Sequence, residues 1–337
     1  MATQGVQNAE AGGFVHHIVV LDGTSATIPP PSFPHTITRY RSTSASEIAS
    51  RLQDATIVIG TGTRLSYDTL KTCGPKLQLC ASLGVGVDNF DLEAIRERGL
   101  TLVHVPAQNT QTVVEHAFAL LGAVKRNLMG LHGFVVGGGK WVDAIAAVAQ
   151  FARPPKTNSQ EILGVIGYGA LGQRTEKMAK ALGMQVLIAE RKGAPAREGR
   201  STFEDVLSQS TVVILTCPLS PSTRNMIDAA ELRTMREDVI IVNVGRGGII
   251  NELALADALR EHRIGGAAVD VFETEPATPE NCPLLDPSIP NLLLSPHLAW
   301  YSSGTLKGTL EVTCKNMEAF VAGKPQNVIV GPSSPSS

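Results

Sequence analysis

The stretch ILGVIGYGALG, residues 162–172, joins a short apolar run to three closely spaced glycines, and the helix-forming sequence QRTEKMAKAL follows it. Glycine at positions 167, 169 and 172 permits a tight turn, a close approach of the backbone to a ligand, and close packing of a helix on a strand. A strand, a G-x-G-x-x-G loop and a helix in this order predict a unit that binds the pyrophosphate of a dinucleotide at the helix N-terminus.

An acidic residue ends the next apolar run. The segment MQVLIAE closes with Glu190, eighteen residues after Gly172, where a carboxylate can accept hydrogen bonds from the adenosine ribose hydroxyls. Because a carboxylate repels a 2′-phosphate, Glu190 favours NAD over NADP. Arg191 and Lys192 follow directly and carry the charge that a 2′-phosphate requires. The sequence therefore predicts NAD and leaves NADP open.

Apolar runs continue on both sides of the glycine loop and alternate with helical patterns. Six runs between residues 160 and 295 predict a complete doubly wound parallel sheet: ILGVIG, MQVLIAE, TVVILTC, VIIVNVG, GGAAVDVF and NLLLS. An earlier series predicts a second sheet: FVHHIVVL, ATIVIG, LQLCAS and LTLVHV. With a length of 337 residues, we expect an α/β protein of two Rossmann-like domains with a cleft between them.

Composition disfavours several partners. The formal net charge is −2, and the sequence has no block of Lys and Arg of the kind that binds nucleic acid or anionic lipid. Its longest apolar segment, VVEHAFALLGAV, contains Glu115 and His116 and is too short to span a bilayer. The first 38 residues contain no Lys or Arg, and the five cysteines form no C-x-x-C pair. We expect a cytoplasmic protein without a metal site and without nucleic acid or membrane as a partner.

Charged residues follow the later strands. Arg246, in VIIVNVGRGGIINE, lies where sheets of this class bind ligands, and its planar fork matches a carboxylate. AAVDVFETEP carries Asp270, Glu273 and Glu275, and SPHLAW carries His297 after a proline. Each feature has a structural alternative, namely an arginine paired across a loop, a solvated acidic loop, and a histidine that only supports packing. The local sequence leaves these alternatives open.

Taken together, the segments resemble the D-isomer-specific 2-hydroxyacid dehydrogenases. The segments that carry the resemblance, in order, are ASLGVGVDNFDLEA, NTQTVVEH, VIGYGALG, CPLSPSTRNMI, NVGRGGIINE, AAVDVFETEP and PNLLLSPHLAW. Within the family the likeness is greatest to hydroxypyruvate reductases and glycerate dehydrogenases, which also carry Ala-Trp after the histidine. The resemblance implies NAD(P)H-dependent reduction of a glyoxylate-like or hydroxypyruvate-like 2-keto acid to the D-2-hydroxy acid, and the reverse oxidation.

The resemblance also implies a role for each member of a catalytic trio. His297 would donate a proton to the carbonyl oxygen as hydride arrives, and Glu275 would hold the other ring nitrogen and stabilise the protonated ring. Arg246 would bind the substrate carboxylate and polarise the keto oxygen. Backbone amides of one loop would bind the same carboxylate: Leu83, Gly84, Val85 and Gly86.

Cofactor contacts, domain order and assembly are further implications of the resemblance. The residues expected along the cofactor are Thr112, Gly167, Tyr168, Gly169, Ala170, Leu171, Gly172, Glu190, Arg191, Lys192, Cys217, Pro218, Thr223, Val244, Gly245 and Asp270, the last beside the nicotinamide carboxamide. A discontinuous substrate domain, residues 1–106 and 295–337, would enclose an NAD(P)-binding domain, residues 107–294. With the apolar segment WVDAIAAVAQF, the resemblance predicts a homodimer built through the cofactor domain.

Two other functions fit the same motifs. A D-mandelate-type dehydrogenase would act on bulkier 2-keto acids, since the sequence does not identify the residues around the substrate side chain. A non-catalytic, NAD-sensing corepressor of the same fold would keep the cofactor motifs and even the trio. A formate dehydrogenase is disfavoured, because glutamine is expected there in place of Glu275.

Overall fold

The computed structural model describes residues 3–7, 14–23, 28–60, 62–139, 148, 151 and 154–331, with residues 3–7 described by their backbone alone. The chain divides into two compact units, Met1–Asn109 with Ser302–Ser337, and Thr110–Tyr301. Each unit has its own largely parallel sheet, as the alternation of apolar runs predicts. The expected two-domain α/β fold is therefore confirmed.

The first unit is built on a seven-stranded sheet with the order β1-β3-β2-β4-β5-β6-β13. Its elements are β1 (Thr3–Gln7), β2 (His16–Val20), β3 (His35–Arg39), α1 (Ile48–Arg51), β4 (Ile57–Gly60), α2 (Tyr67–Thr72), β5 (Leu79–Ser82), α3 (Leu92–Glu97), β6 (Thr101–Val103), α10 (Ser303–Val321) and β13 (Val328–Val330). The five middle strands pair in parallel, and β1 and β13 are added antiparallel at the two edges. Apolar side chains pack on both faces of the sheet.

Three strands of this sheet are not predicted by the apolar pattern. Strand β3 reads HTITR, so its β-branched threonines rather than an apolar run suit the pleated backbone. Strand β13 has only three residues, and two of them are exposed at the edge. Strand β1 pairs with β3 over five residues. Such strands depend on a neighbour for pairing and carry a weak signal of their own.

The second unit is built on a six-stranded sheet with the order β12-β11-β10-β9-β7-β8. Its elements are α4 (Thr110–Lys125), α5 (Leu128–Val136), β7 (Ile162–Ile166), α6 (Ala170–Ala181), β8 (Gln185–Ile188), α7 (Phe203–Gln209), β9 (Val212–Leu215), α8 (Ala229–Thr234), β10 (Ile240–Asn243), α9 (Glu252–Arg260), β11 (Gly266–Val269) and β12 (Leu292–Leu294). All six predicted strands are present and parallel. Their apolar runs are continuous because apolar side chains cover both faces.

The strand order indicates where this sheet is expected to bind a ligand. The chain passes from β7 to β8 on one side and then crosses to β9 on the other side of β7. In open parallel sheets, loops at the carboxyl ends of the strands separate at such a reversal and leave a crevice for ligands. The glycine loop follows β7, so it lies at this reversal.

The boundary between the units differs from the expected one. The second unit includes residues 295–301, which the sequence predicts to belong to the substrate domain. Strand β12 pairs with β11, and the Ser295, Leu298 and Ala299 groups that follow it bind the side chain of Asp270. These contacts attach His297 to the cofactor-binding unit, and the chain leaves that unit only after Tyr301.

No helix within the described residues combines the length and the apolar composition that crossing a bilayer would require.

Candidate active site

The glycine loop joins β7 to α6. Gly167 has a φ of +94°, and a Cβ there would lie 2.5 Å from the backbone nitrogen of Cys217. A Cβ on Gly172 would lie 2.1 Å from the carbonyl oxygen of Gly167. Among the described residues, a Cβ on Gly169 would meet no atom within 4 Å other than those of its chain neighbours. Two glycines thus permit close packing, and the third borders open space.

This loop fits the pyrophosphate of a dinucleotide. Helix α6 begins at Ala170, and its N-cap, Gly169, provides no side-chain acceptor for the first-turn N–H groups. Those N–H groups and the positive end of the helix dipole adjoin the open space at Gly169, which suits an anion. Gly169 and Ala170 are exposed, while Gly172 is buried against the strand.

A matched pair of substitutions separates packing from ligand binding. We expect Gly172→Ala to lower the free energy of unfolding by about 2 kcal/mol, because its methyl group would overlap the Gly167 carbonyl. Gly169→Ala should leave the unfolding transition unchanged and weaken NADH binding about tenfold, because its methyl group would enter the pyrophosphate space. Urea unfolding and NADH fluorescence titration measure the two effects. Equal losses of stability in both variants would contradict this division.

Glu190 lies just beyond β8, at the same edge of the sheet. Its side chain is only 5% exposed and pairs with Arg197, whose Nε donates to Oε2 at 2.5 Å and whose Nη2 donates to Oε1 at 3.0 Å. Oε1 also accepts the backbone N–H of Arg191 at 2.9 Å. The hydrogen bonds from Arg197, followed by that from the Arg191 backbone, lower the pKa of Glu190 to about 2. Glu190 is therefore ionised and already has a cationic partner.

The segment after β9 lies next to the glycine loop. Thr216 Oγ1 donates to the Gly167 carbonyl at 2.7 Å. Cys217 is buried, and burial raises the pKa of its thiol to about 11, so it is a neutral side chain at physiological pH. Thr223 Oγ1 donates to the Pro218 carbonyl at 2.8 Å and accepts the Ser220 N–H at 2.7 Å, which closes the loop.

Arg246 lies in a tight turn after β10, and Asn243 holds that turn from both sides. The Asn243 Nδ2 group donates to the Arg246 carbonyl at 2.9 Å, and Asn243 Oδ1 accepts the Gly245 N–H at 3.1 Å. A Cβ on Gly245 would lie 2.8 Å from the Cys217 carbonyl oxygen, so the turn packs closely on the segment after β9. This packing fixes the backbone from which the partly exposed Arg246 side chain extends.

His297 and Glu275 form a hydrogen-bonded contact at this edge. His297 Nδ1 lies 2.7 Å from Glu275 Oε2, although the two residues are 22 positions apart. Burial of Glu275 would raise its pKa, but hydrogen bonds from His297 and the Phe272 N–H, with the charges of His297 and Arg246, lower it overall. An ionised Glu275 holds Nδ1 as a donor and leaves Nε2 as the ring nitrogen for a substrate.

Asp270 fixes the loop that carries His297. Its side chain is 1% exposed and accepts hydrogen bonds from Ser295 Oγ at 2.5 Å, Leu298 N–H at 3.0 Å and Ala299 N–H at 2.9 Å. The Asp270 carbonyl also accepts the His297 N–H at 2.7 Å. His297 has a φ of +52°, an uncommon conformation for a residue with a side chain, and these hydrogen bonds hold it there.

The expected carboxylate-binding loop lies in the first unit, after β5. Its carbonyl groups are engaged, since Val105 N–H donates to Gly84 at 2.9 Å, His104 Nδ1 lies 2.9 Å from the Val85 carbonyl, and Ser82 Oγ donates to Gly86 at 2.8 Å. The Leu83 N–H donates to the Gly60 carbonyl at 3.1 Å. Among the described residues, the N–H groups of Gly84, Val85 and Gly86 meet no acceptor.

The second unit thus brings most of the expected residues to one sheet edge. Those that lie in or beside the loops after its strands are Gly167, Tyr168, Gly169, Ala170, Leu171, Gly172, Glu190, Arg191, Lys192, Cys217, Pro218, Thr223, Val244, Gly245, Arg246, Asp270, Glu275 and His297. Thr112 lies in the first turn of α4. Lys192 Nζ bonds the carboxylate of Glu231 at 2.8 Å and the Met226 carbonyl at 3.1 Å.

Sequence reasoning missed several supporting side chains. His116 Nε2 lies 3.1 Å from Ser295 Oγ and 3.5 Å from the Asp270 carboxylate. The buried Glu252 accepts the Glu273 N–H at 2.7 Å and so holds the loop that contains Glu275. Both residues could have been predicted from the motifs that contain them, because His116 ends NTQTVVEH and Glu252 ends NVGRGGIINE. Arg197 had no such signal, because its loop lies outside those motifs.

Comparisons with known proteins agree with this geometry. The NAD-binding domain of the D-isomer specific 2-hydroxyacid dehydrogenases matches residues 118–299. A putative 2-hydroxyacid dehydrogenase of Haemophilus influenzae is 38% identical over 90% of this chain and 98% of its own length. The glycerate dehydrogenase of Methylorubrum extorquens is 38% identical over 93% of this chain and 98% of its own length. The NADPH-dependent glyoxylate/hydroxypyruvate reductase of Sinorhizobium meliloti, solved with NADP and malonate, has a TM-score of 0.77 and 26% identity, covering 96% of this chain and 99% of that one.

Proposed function

The chain belongs to the D-isomer specific 2-hydroxyacid dehydrogenase family, and from this premise we propose that it reduces a small 2-keto acid of the glyoxylate or hydroxypyruvate class to the D-2-hydroxy acid. The same site would catalyse the reverse oxidation. The observation that carries the proposal is the 2.7 Å contact between His297 and Glu275. That contact lies in the unit whose glycine loop fits NAD(P), which supplies the hydride when it is bound.

Each side chain has a distinct task in this proposal. His297 donates the proton on Nε2 to the keto oxygen while the keto carbon is reduced, and it recovers a proton from water afterwards. Glu275 keeps Nδ1 protonated and stabilises the imidazolium form. Arg246, which is partly exposed, binds the substrate carboxylate with its planar fork and polarises the keto oxygen.

Substrate choice and stereochemistry test the function directly. Oxidation of NADH and of NADPH by the purified protein is measured with glyoxylate, hydroxypyruvate, phenylglyoxylate and a branched-chain keto acid, and chiral chromatography identifies the alcohol. We expect the highest kcat/KM with one of the two small acids, and the D-alcohol from hydroxypyruvate. Preference for phenylglyoxylate would point to a mandelate-type enzyme. An L-alcohol, or binding of NADH without turnover of any acid, would contradict the proposal.

The charge on Glu275 should set the pH range of reduction. Glu275→Gln keeps a hydrogen-bonding partner for His297 but removes the negative charge that stabilises the protonated ring. Reduction requires the protonated ring, so the pH optimum should move to lower pH in the variant. Steady-state kcat with one keto acid from about pH 5 to 9 measures the shift. Glu273→Gln is the matched control, because Glu273 pairs with Arg224 at 2.7 Å instead, and it should keep the parental profile.

We also propose a homodimer that forms through the cofactor-binding unit. Helix α5, with the sequence LMGLHGFVV, has no buried residue, and four of its large apolar side chains are exposed: Leu128, Met129, Val135 and Val136. An exposed apolar helix is costly on a monomer, so a second copy is the expected cover. Most of WVDAIAAVAQF, which also motivates the dimer, lies outside the described residues. Light scattering should give about twice 35.6 kDa; a monomer mass at micromolar concentration would refute the dimer.

Localisation in the cytoplasm is part of the same proposal. All five cysteines are buried and free of disulfides, as Cys73, Cys80, Cys217, Cys282 and Cys314. Unpaired thiols suit a reducing compartment, where the nicotinamide cofactors are also found. Fractionation of the source cells, with the enzyme assayed in each fraction, tests this placement.

A further inference from the structure

A basic loop follows Glu190, at the position expected for the adenosine end of the cofactor. Residues 191–200, RKGAPAREGR, leave the sheet after Glu190 and return at Ser201. The loop is anchored at its base, because the Glu190 N–H donates to the Ser201 carbonyl at 2.8 Å and the Ser201 N–H donates to the Ile188 carbonyl at 2.9 Å. It carries four cationic side chains, Arg191, Lys192, Arg197 and Arg200, and one acidic side chain, Glu198.

Arg197 is the cation in this loop that binds Glu190 with two hydrogen bonds. Its side chain is 70% exposed, yet it forms two hydrogen bonds, at 2.5 and 3.0 Å, with a carboxylate that is only 5% exposed. The pair has no net charge. Glu190 by itself would repel the 2′-phosphate of NADP, but the neutral pair removes most of that repulsion.

Arg197 also retains donors for a further ligand. A guanidinium group has five N–H donors, and the pair with Glu190 uses one on Nε and one on Nη2. Three N–H groups remain on a side chain that is 70% exposed. Glu190 in turn has lone pairs left for a ribose hydroxyl. The pair can therefore face either a hydroxyl or a phosphate at the 2′ position.

Two of the other cations are engaged elsewhere. Lys192 bonds Glu231 at 2.8 Å and the Met226 carbonyl at 3.1 Å. The Arg200 guanidinium lies over the ring of Tyr168, 4.4 Å from its centroid, and donates to the Ala189 carbonyl at 3.3 Å. These contacts position the loop. Of the two remaining cations, Arg191 contacts Glu190 through its backbone N–H, whereas Arg197 contacts it through the guanidinium group.

We propose that Arg197 is the specificity-determining residue for the cofactor: by neutralising Glu190 and offering its free N–H groups to a 2′-phosphate, it lets the chain bind both NAD(H) and NADP(H). The inference rests on the proposed function only in assuming that the site takes a nicotinamide dinucleotide. Glu190 alone predicts a strong preference for NAD. The Glu190–Arg197 pair reduces that preference, because each member favours a different group at the 2′ position.

Binding of two nucleotides that differ only at the 2′ position tests the proposal without any turnover. Adenosine 5′-monophosphate and adenosine 2′,5′-bisphosphate are titrated into the full-length protein by isothermal calorimetry. Arg197→Gln should weaken the bisphosphate about tenfold or more, the loss expected for a charge-assisted hydrogen bond to phosphate, and should leave the monophosphate unchanged or slightly tighter. Glu190→Gln should do the reverse, because it frees Arg197 from the carboxylate and leaves the ribose a neutral amide oxygen, which is a weaker acceptor than the carboxylate.

Two further variants make the result specific to Arg197. Lys177→Gln removes one exposed positive charge from helix α6 and controls for net charge, so its ratio of the two dissociation constants should equal that of the parent. Arg191→Gln tests the neighbouring cation that also follows Glu190. Unfolding temperatures confirm that each protein is folded.

The proposal is overturned if Arg197→Gln keeps the parental ratio of dissociation constants, or if Arg191→Gln alone abolishes bisphosphate binding. A failure of the proposed function would give a different result from a failure of this proposal. In that case all keto acids go unreduced, while the two nucleotides still bind in the ratio that Arg197 sets.

Discussion

Replacing His297 by Ala is expected to lower kcat for keto-acid reduction by about a hundredfold to ten-thousandfold and to leave the affinity for NADH unchanged. Its side chain is 41% exposed, and within the described part of the chain the hydrogen-bonding partner of its ring is Glu275, at Nδ1. The substitution removes the proton donor, whose contribution to rate is typically of that size. The glycine loop and Glu190 are untouched, so fluorescence titration should give the parental dissociation constant.

The backbone at His297 requires matched controls. His297 and His262 both have a left-handed backbone, with φ of +52° and +53°. His262→Ala therefore imposes a similar backbone change at an exposed position outside the trio, and it should retain parental kcat. His297→Asn is a second test, because asparagine tolerates this conformation but cannot act as a comparable proton donor. If His297→Asn is folded and retains near-parental kcat, the proton donor lies elsewhere.

Replacing Asp270 by Ala should be the most damaging change outside the trio, with a loss of about 3 kcal/mol or more in the free energy of unfolding. Its buried carboxylate accepts two backbone N–H groups, from Leu298 and Ala299, and the hydroxyl of Ser295. Each buried donor that loses its acceptor costs about 1–3 kcal/mol. Because the same bonds hold the loop that carries His297, kcat should fall as well.

Graded variants at this loop separate stability from positioning. Ser295→Ala removes only the hydroxyl and leaves both backbone bonds to Asp270, so its losses should be small. Asp270→Asn preserves shape but places an amide N–H₂ against at least one N–H donor, so it should lie between the two. Urea unfolding reports stability, and the ratio of kcat in folded protein reports positioning. A parental unfolding midpoint and kcat for Asp270→Ala would show that the loop does not depend on this carboxylate.

Local pattern explains why the second unit was predicted so fully. Each of its six strands is an apolar run with apolar side chains packed on both faces. Exposing such a run to water is unfavourable, so the run alone predicts a buried strand. The first unit was predicted less fully. Strands β1, β3 and β13 lie toward the two edges, where pairing with a neighbour compensates for a weak apolar pattern.

Some features of the site were likewise inferred from the sequence, and others are visible only in the structure. The trio was inferred from segments that resemble a family, and the structure supplies the contact between His297 and Glu275. The second unit extends to Tyr301 and not only to residue 294, because groups within residues 295–299 donate hydrogen bonds to the Asp270 carboxylate, and those bonds leave no trace in local sequence. Asp270 was expected beside the nicotinamide, and its carboxylate proves to hold the His297 loop, a role that its place in AAVDVFETEP did not reveal.

What the sequence by itself determined were features that depend on residues close together in the chain: the strand, glycine loop and helix of residues 162–181, the alternation of strands and helices, and the acidic residue at position 190. Tertiary structure alone decided which distant groups meet. Arg197 reaches Glu190 only because its loop returns to the sheet at Ser201, and His297 reaches Glu275 only because β11 and β12 pair in parallel. The physical reason is that turns and amphipathic periodicity are set by local sterics and burial, whereas contacts across loops depend on strand order and on the backbone path between strands.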